Sequence, residues 1–343
     1  MVTTTHIIRL ISVINVLICT LLIPSYVQSE SPKILFVSDR DNSKDIWIMK
    51  SDGLEPKNLT KTRKTNEETP TASPGGVHMT FSSDGGANKA RWTYIMSLDG
   101  KGKRRNITEG AGESNPVWSP TGTEIAYTAL AGNSLSIYIL GLWDWTPRIS
   151  VKAIETAEPF NVTDAPSTDT HPAWSPDGGK IVFSSNRDGD LEIHVMDVVL
   201  DKPDPENPPG LLQLTKNEVV DWQPSWSPDG TKIAFSSKRD GNWEIYVMDT
   251  NGQNQVNLTN NPASDQNPSW SPGGTKIAFS SKRDGNWEIY VMDASGQNQV
   301  NLTNNPAKDI TATWLSQTLP GQPVDAAGKS VTSWGKVKIH QEQ

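Results

Sequence analysis

Cysteine is nearly absent from this 343-residue chain. The single cysteine, Cys19, lies in an apolar N-terminal segment that we expect to be removed, so the remaining chain has none. Disulfide bonds and cysteine-based metal sites are therefore excluded, and packing alone must stabilise the fold. The sequence predicts no cofactor and no metal site. Residues 39–45 carry alternating oxygen donors but lack the glycine and glutamate of a calcium loop, so we interpret them as a charged hairpin turn.

Positive charge is also in short supply, with 31 Lys and Arg against 39 Asp and Glu. Contacts to phosphates require clustered Lys and Arg, so no nucleic-acid partner is expected. Long apolar runs are missing after the N-terminal segment. We therefore predict no transmembrane span in the processed protein, which is expected to act as a monomer.

The N-terminal 29 residues have the layout of a secretory signal peptide. Arg9 precedes an apolar run from Leu10 to Ile23, and Val27-Gln28-Ser29 form the expected cleavage region before Glu30. An uncleaved membrane anchor is the alternative, but the run of about 14 residues is shorter than the roughly 20 that span a bilayer. The sequence thus predicts a signal peptide at 1–29 and a periplasmic or secreted protein.

A repeat with a period of 44 residues dominates the rest of the chain. Residues 223–261 recur at 267–305 with four changes, and looser copies extend to the N-terminal side. Each unit contains four short apolar stretches separated by turn sequences such as Arg239-Asp240-Gly241-Asn242. In the unit at 223–261, the strands are predicted at Pro224 to Ser227, Lys232 to Ser237, Trp243 to Met248 and Val256 to Thr259. Repeats of this length, with several strands each, are typical of propeller blades.

The number of units and the closure of the ring follow from the two ends of the repeat region. The first unit, which begins near Ile34, lacks its first strand, and a matching strand follows the last complete unit around Trp314. The prediction is therefore an all-β, six-bladed β-propeller at residues 30–316, with four-stranded antiparallel blades and with both chain ends in one blade. Residues 317–343 are predicted to form a linker and a short C-terminal strand or tail.

The repeat resembles the WD40-like repeat of the TolB β-propeller family, through Pro-x-Trp-Ser-Pro-Asp-Gly and Arg-Asp-Gly-x-x-Glu-Ile-Tyr-Val-Met-Asp. The resemblance implies an exported propeller whose channel mouth docks an envelope or extracellular protein, without catalysis. TolB itself also has an N-terminal α/β domain. Here only Ser31-Pro32-Lys33 separate the predicted signal from the first strand, so we expect the likeness to be limited to the propeller.

An acidic residue lies five positions before the tryptophan position of every unit. The six are Glu67, Glu113, Asp169, Asp221, Asp265 and Asp309. We expect them to circle one mouth of the channel, where their summed field would attract a cation or a basic peptide segment. The alternative is structural: each carboxylate accepts bonds in its own loop or pairs with an arginine of the adjacent blade. The candidate arginines are Arg40, Arg187, Arg239 and Arg283.

His171 and Trp222 complete the predicted site, because both lie beside acidic residues at the same mouth. Two other functions stay open at this stage. A glycan-active lyase or hydrolase would use the channel, although no Gly-x-Ser-x-Gly elbow is present and His171 is the one histidine predicted at the mouth. A purely structural scaffold is the third interpretation.

Overall fold

The computed structural model describes residues 31–85, 90–108, 110, 112–143, 155–156, 158–163, 166–198 and 210–315. The predicted signal peptide at 1–29 and the predicted tail at 317–343 lie outside these ranges. Within them, no helix has the length and apolar character needed to cross a membrane.

The described chain folds into 25 short strands. In chain order they are β1 (Lys33–Ser38), β2 (Asp45–Lys50), β3 (Lys57–Asn58), β4 (Glu67–Ala72), β5 (His78–Ser83), β6 (Trp92–Ser97), β7 (Arg105–Asn106), β8 (Ser114–Trp118), β9 (Glu124–Ala131), β10 (Ser134–Trp143), β11 (Glu155–Thr156), β12 (Phe160–Asn161), β13 (Asp169–Trp174), β14 (Lys180–Ser185), β15 (Glu192–Asp197), β16 (Leu212–Gln213), β17 (Asp221–Trp226), β18 (Lys232–Ser237), β19 (Glu244–Asp249), β20 (Val256–Asn257), β21 (Asp265–Trp270), β22 (Lys276–Ser281), β23 (Glu288–Asp293), β24 (Val300–Asn301) and β25 (Asp309–Trp314).

These strands form six antiparallel sheets, which are the blades of a six-bladed β-propeller. Blade 1 has the order β25-β1-β2-β3, blade 2 is β4 to β7, blade 4 is β13 to β16, blade 5 is β17 to β20 and blade 6 is β21 to β24. In blade 3, β8, β9 and β10 are joined by β11 and β12, which both pair with β10. The predicted fold class is confirmed.

The ring closes between its two ends. Strand β25 pairs with β1, with Ile34 opposite Trp314 and Leu35 opposite Thr313. This pairing joins residues about 280 positions apart, so backbone hydrogen bonds hold the C-terminal strand within the first blade. The N- and C-terminal strands thus share one blade, as the sequence predicted.

The hydrophobic cores lie between blades, because each sheet packs on a neighbour at both faces. Phe235 of β18 is fully buried with Val195 and Leu214 of blade 4, and Trp226 packs at the edge of this cluster. The matching phenylalanines in four other blades are also fully buried: Phe36, Phe81, Phe183 and Phe279. A single blade has too little apolar surface to fold alone, so stacking supplies the stability that disulfides do not.

The innermost strand begins earlier than the sequence predicted. In blade 5 it runs over Asp221–Trp226, whereas the sequence predicted a strand from Pro224 to Ser227. The register shifts between Trp222 and Ser225, and Gln223 has a φ of 55°. A bulge of this kind breaks the period-2 pattern, so the first three residues do not show strand alternation in the sequence.

Candidate binding site at the channel mouth

The six acidic residues open the innermost strands or directly precede them, and none of them lines the channel. Their side chains lie inside the blades, with exposed fractions of 0 to 1%. Direct contact with a partner, which the sequence analysis allowed, is therefore not supported by their position. The geometry favours the structural alternative, in which these carboxylates fix the loops of the mouth.

The four arginines in the turns between second and third strands pair with carboxylates of their own blades, whereas the structural alternative had placed them beside carboxylates of the adjacent blade. The N···O distances are 2.6 Å for Arg40–Asp309, 3.1 Å for Arg187–Asp169, 2.8 Å for Arg239–Asp221 and 2.9 Å for Arg283–Asp265. The reason is local. The turn between the second and third strands folds back beside the start of the first strand of the same sheet.

Blade 2 has Gly85 at the position where other blades carry the turn arginine, yet Glu67 is still paired. Arg104, which directly precedes β7, lies 2.7 Å from the Glu67 carboxylate and places its guanidinium over the Tyr94 ring. Arg104 thus takes the position that a turn arginine takes elsewhere. The sequence signal was absent because the cation comes from a different loop.

In blade 3, the acidic residue Glu113 has no arginine contact within the described chain. The Glu113 carboxylate accepts hydrogen bonds from the backbone N–H groups of Thr93 (2.9 Å) and Gly110 (2.8 Å), and from the hydroxyl of Thr108. Burial nevertheless raises the pKa of Glu113 to about 7. Desolvation also raises the pKa of Asp265, despite the nearby Arg283.

The wall of the channel is built by the residues two positions after each acidic residue. All six have a left-handed backbone, with φ between 51° and 57°: Thr69, Asn115, His171, Gln223, Asn267 and Thr311. This conformation is uncommon outside glycine and is least favourable for a β-branched threonine. Together with the residues that follow them, they enclose a cavity of about 190 Å³. The described residues that line this cavity include no Asp, Glu, Lys or Arg.

Aromatic side chains gather on one side of this mouth. The rings of His171 in blade 4 and Trp222 in blade 5 meet edge to face, with centroids 4.5 Å apart. Trp243, just before β19, lies 6.0 Å from Trp222. All three residues are half-buried. We call His171, Trp222 and Trp243 the aromatic cluster.

His171 is a neutral imidazole in this setting. Its Nδ1 atom is 3.0 Å from the hydroxyl of Thr170, and its removal from bulk water lowers its pKa to about 3. It belongs to β13. Neutral at pH 7, it contributes shape and hydrogen bonding to the mouth, without charge.

A charged group that the sequence analysis missed occupies blade 2, which faces blade 5 across a six-bladed ring. Glu68 bridges Lys44 of blade 1 and Arg91 of blade 2. Burial acts to raise the pKa of Glu68, but these two cations hold it below its ordinary value. Glu68 follows Glu67 as Trp222 follows Asp221, so a search one position after each acidic residue would have found both sides of the mouth.

Metal binding through side chains alone finds no support in the described chain, where no three His, Cys, Asp or Glu residues form a group suited to a metal ion. The described lining of the channel carries no charged side chain. At the mouth, the aromatic cluster lies on one side, and Glu68 with Lys44 and Arg91 lies on the other.

Together, the fold and the site define a class of protein: a six-bladed β-propeller with a half-buried aromatic cluster at its channel mouth. The TolB β-propeller domain matches this chain at residues 143–266 and 211–318, which together make up just over half of its length. The chain belongs to the TolB β-propeller family.

Two comparisons extend this result. A TolB homologue of Chlorobium luteolum is 29% identical over 159 residues, which cover 46% of this chain and 31% of the homologue. TolB from Acinetobacter baumannii superposes with a TM-score of 0.66 at 21% identity, over 83% of this chain and 67% of the other. The chain thus spans less than a third of the length of the curated relative.

Similar propellers also occur in enzymes. A puromycin-hydrolysing peptidase of Mycobacterium tuberculosis superposes with a TM-score of 0.53 at 15% identity, over 75% of this chain and 41% of the peptidase. At this identity the likeness shows the fold alone.

Proposed function

We propose that this chain is an exported, non-catalytic module that binds an envelope or extracellular protein at the channel mouth. The observation that carries the proposal is the aromatic cluster, whose half-buried tryptophans lie beside a channel without charged lining residues. Partly exposed tryptophans at a concave surface are the residues that most often dominate binding energy in protein interfaces. TolB-like relatives support the same kind of function and an exported location.

The size of the channel favours a protein partner over a free small ligand. Pockets for small molecules usually enclose about 300–1,000 Å³, whereas this channel encloses about 190 Å³. A loop or side chain of a partner protein fits such a volume while the rest of the partner rests on the surrounding mouth. The Glu68–Lys44–Arg91 group then lies at the polar rim, where charges contribute orientation more than affinity.

A basic segment, which the acidic residues had suggested as the partner, is less favoured by this geometry. Five of the six carboxylates are paired with arginines, and Glu113 has a raised pKa. Their net field at the mouth is therefore small. An apolar or aromatic side chain of the partner is the better complement to Trp222.

Catalysis is tested separately, because related folds occur in a peptidase. The Nδ1 atom of His171 is close to a hydroxyl of the neighbouring Thr170, and its lowered pKa makes it a poor general base at neutral pH. Incubation with peptide substrates and with polysaccharides should release neither amines nor reducing ends. Release that is lost in His171→Ala would establish an enzyme instead.

Affinity capture with two alanine variants tests the binding proposal. Trp222→Ala removes the central ring of the aromatic cluster, so capture of a reproducible partner from an envelope extract should fall at least tenfold. Val256→Ala is the matched control, because Val256 is 55% exposed but lies on β20, at the outer edge of the same blade. It should retain wild-type capture.

The outcomes separate the three functions. A partner that is captured equally by Trp222→Ala and wild type would refute this mouth as the docking site. If no partner is retained by the wild-type protein under any condition, the scaffold interpretation is favoured instead.

A further inference from the structure

The loop that leads from blade 1 into blade 2, residues 59–66, carries exposed positive charge at the channel mouth. Lys61, Arg63 and Lys64 are all exposed. None of these three side chains forms an ion pair or a hydrogen bond with any residue that the structure describes. The loop thus stands apart from the acidic balance of the whole chain, which has 31 Lys and Arg against 39 Asp and Glu. We call residues 59–66 the basic loop.

The repeat does not require these cations. The corresponding loop of blade 5, residues 258–264, reads Leu-Thr-Asn-Asn-Pro-Ala-Ser, carries no charge and is one residue shorter. Both loops begin in the same way, because the backbone N–H of Lys61 donates to Asn58 Oδ1 at 2.9 Å and that of Asn260 donates to Asn257 Oδ1 at 3.0 Å. The blade geometry is therefore kept, and the positive charge is an addition to it.

Buried carboxylates fix the backbone of the basic loop. The Oδ1 atom of Asp45 accepts hydrogen bonds from the backbone N–H of Thr62 at 2.8 Å and from its hydroxyl at 2.9 Å. The hydroxyl of Thr65 donates to Glu67 Oε1 at 2.7 Å. Asp45 and Glu67 are both 0% exposed. Because the backbone that carries the three cations is already ordered, a partner that binds them loses less conformational entropy.

The carboxylates beside the basic loop have other contacts. Glu68 bridges two cations outside the loop. Asp41 accepts a hydrogen bond from Asn58 Nδ2 at 2.8 Å, and Asp84 accepts one from the backbone N–H of Asn66 at 2.6 Å. None of the three carboxylates pairs with a cation of the loop. The loop therefore keeps a local positive field, which attracts an anionic group.

Exposed carboxylates on the same face favour a narrow anionic partner over a flat anionic surface. The turns between second and third strands point to this mouth, and Asp39, Asp41 and Asp188 are exposed in those of blades 1 and 4. An anionic membrane that covered the whole face would be repelled by these carboxylates. A peptide segment contacts the basic loop alone and avoids them.

We propose that an acidic segment of the partner protein, with two or more Asp or Glu side chains, docks on the basic loop. This inference rests on the proposed function, because the loop and the aromatic cluster belong to one mouth. The loop joins blades 1 and 2, across the ring from the cluster in blades 4 and 5, so a partner that spans the mouth contacts both. The expected charge of the partner is thus the reverse of the one suggested by the six acidic residues, which are buried.

Fluorescence anisotropy with a labelled peptide of alternating Glu and Gly tests the inference on the full chain. A peptide with Gln in place of Glu is the neutral control and should bind more weakly. Arg63→Gln combined with Lys64→Gln should weaken binding of the Glu peptide at least about twofold at low salt, and the difference should shrink at high salt.

Lys101→Gln combined with Lys103→Gln is the matched control. It removes the same charge from two exposed residues in the turn between β6 and β7, at the opposite end of blade 2, and should retain wild-type binding. The four exchanged residues are exposed or half-buried at most, so both double variants should keep the Tm of the wild type within about 2 °C.

Three results would overturn the inference. They are equal binding of the Glu and Gln peptides, an equal loss in both double variants, and a loss in Arg63→Gln/Lys64→Gln that is seen with phosphatidylglycerol vesicles but not with the Glu peptide. The last result would identify a membrane as the ligand.

Trp222→Ala separates this inference from the proposed function. Its binding of the Glu peptide, which has no apolar side chain, should equal that of the wild type. Loss of peptide binding in Trp222→Ala would show that the peptide binds elsewhere at the mouth and would also overturn the inference. Undiminished partner capture by Trp222→Ala, with the peptide results as expected, would refute the aromatic cluster alone and support the basic loop.

Discussion

The arginine pairs of the propeller allow a quantitative test of what the buried acidic residues do. In blade 5, Arg239 contacts Asp221 at 2.8 Å, Ser237 at 2.8 Å and Gln255 at 2.5 Å, and its guanidinium carbon lies 4.5 Å from the centre of the Tyr246 ring. Arg239→Met keeps most of the side-chain length and removes all of these polar contacts. Asp221, which is fully buried, then retains a bond from Asn217 at 2.7 Å but no cation.

The expected loss is about 3–5 kcal/mol in the free energy of unfolding, because removing one partner leaves a buried charge uncompensated. The intact pair is not strongly stabilising by itself. Desolvation in the equivalent blade 6 site raises the pKa of Asp265 although Arg283 is close. The large effect of the single variant therefore measures the cost of the orphaned charge. In Asp221→Asn combined with Arg239→Met that charge is gone, so the double variant should recover about 1–3 kcal/mol relative to the sum of the single variants.

Urea unfolding followed by tryptophan fluorescence gives these values, and calorimetry should show a Tm lowered by at least about 6 °C for Arg239→Met. Arg283→Met in the near-identical blade 6 is an internal replicate and should give the same loss within about 1 kcal/mol. Lys232→Ala is the control for an exposed pair with Asp249, at 2.5 Å, and should cost less than about 1 kcal/mol. A loss below about 1 kcal/mol for Arg239→Met, or no coupling with Asp221→Asn, would refute the structural role and return the acidic residues to the binding hypothesis.

Two further predictions follow from single positions. Glu113 has a folded-state pKa raised from 4.5 to about 7, so its protonated form stabilises the fold below pH 4.5, and this stability is lost as the pH rises to 7. Relative to Glu113→Gln, which does not titrate, the wild type should lose up to about 3 kcal/mol across that window in urea unfolding at several pH values; a constant difference would contradict the raised pKa. Gly252 has a φ of 83°, and a Cβ there would lie 2.4 Å from the carbonyl oxygen of Leu214 in blade 4, whereas a Cβ at Gly241, with φ of 95°, meets nothing within 4 Å. Gly252→Ala should therefore cost about 1–3 kcal/mol more than Gly241→Ala, and equal losses would show that the turn does not press on the neighbouring blade.

Several features of the channel mouth were decided by bulges and by contacts between loops. The sequence indicated Arg239 as a partner for a carboxylate, but only the folded hairpin shows that the carboxylate belongs to the same blade. Arg104 contacts Glu67 from a different loop, so this pair could not be predicted from a position in the repeat. The left-handed φ of 55° at Gln223 interrupts the strand alternation, so the apolar pattern did not locate the start of this strand. Each of these features depends on the conformation of a loop or bulge, which sets the position of the side chain.

The sequence by itself determined the number of blades, their strands and the closure of the ring through β25 and β1. These features depend on alternating apolar residues and on turn residues that recur every 44 positions, and such local patterns are readable without coordinates. Only the tertiary structure decided that the acidic residues are buried and that the rings of His171 and Trp222, from adjacent blades, meet edge to face. The physical reason is that blade stacking brings together residues about 50 positions apart in sequence, and the accessibility of each side chain depends on the neighbours that this stacking supplies.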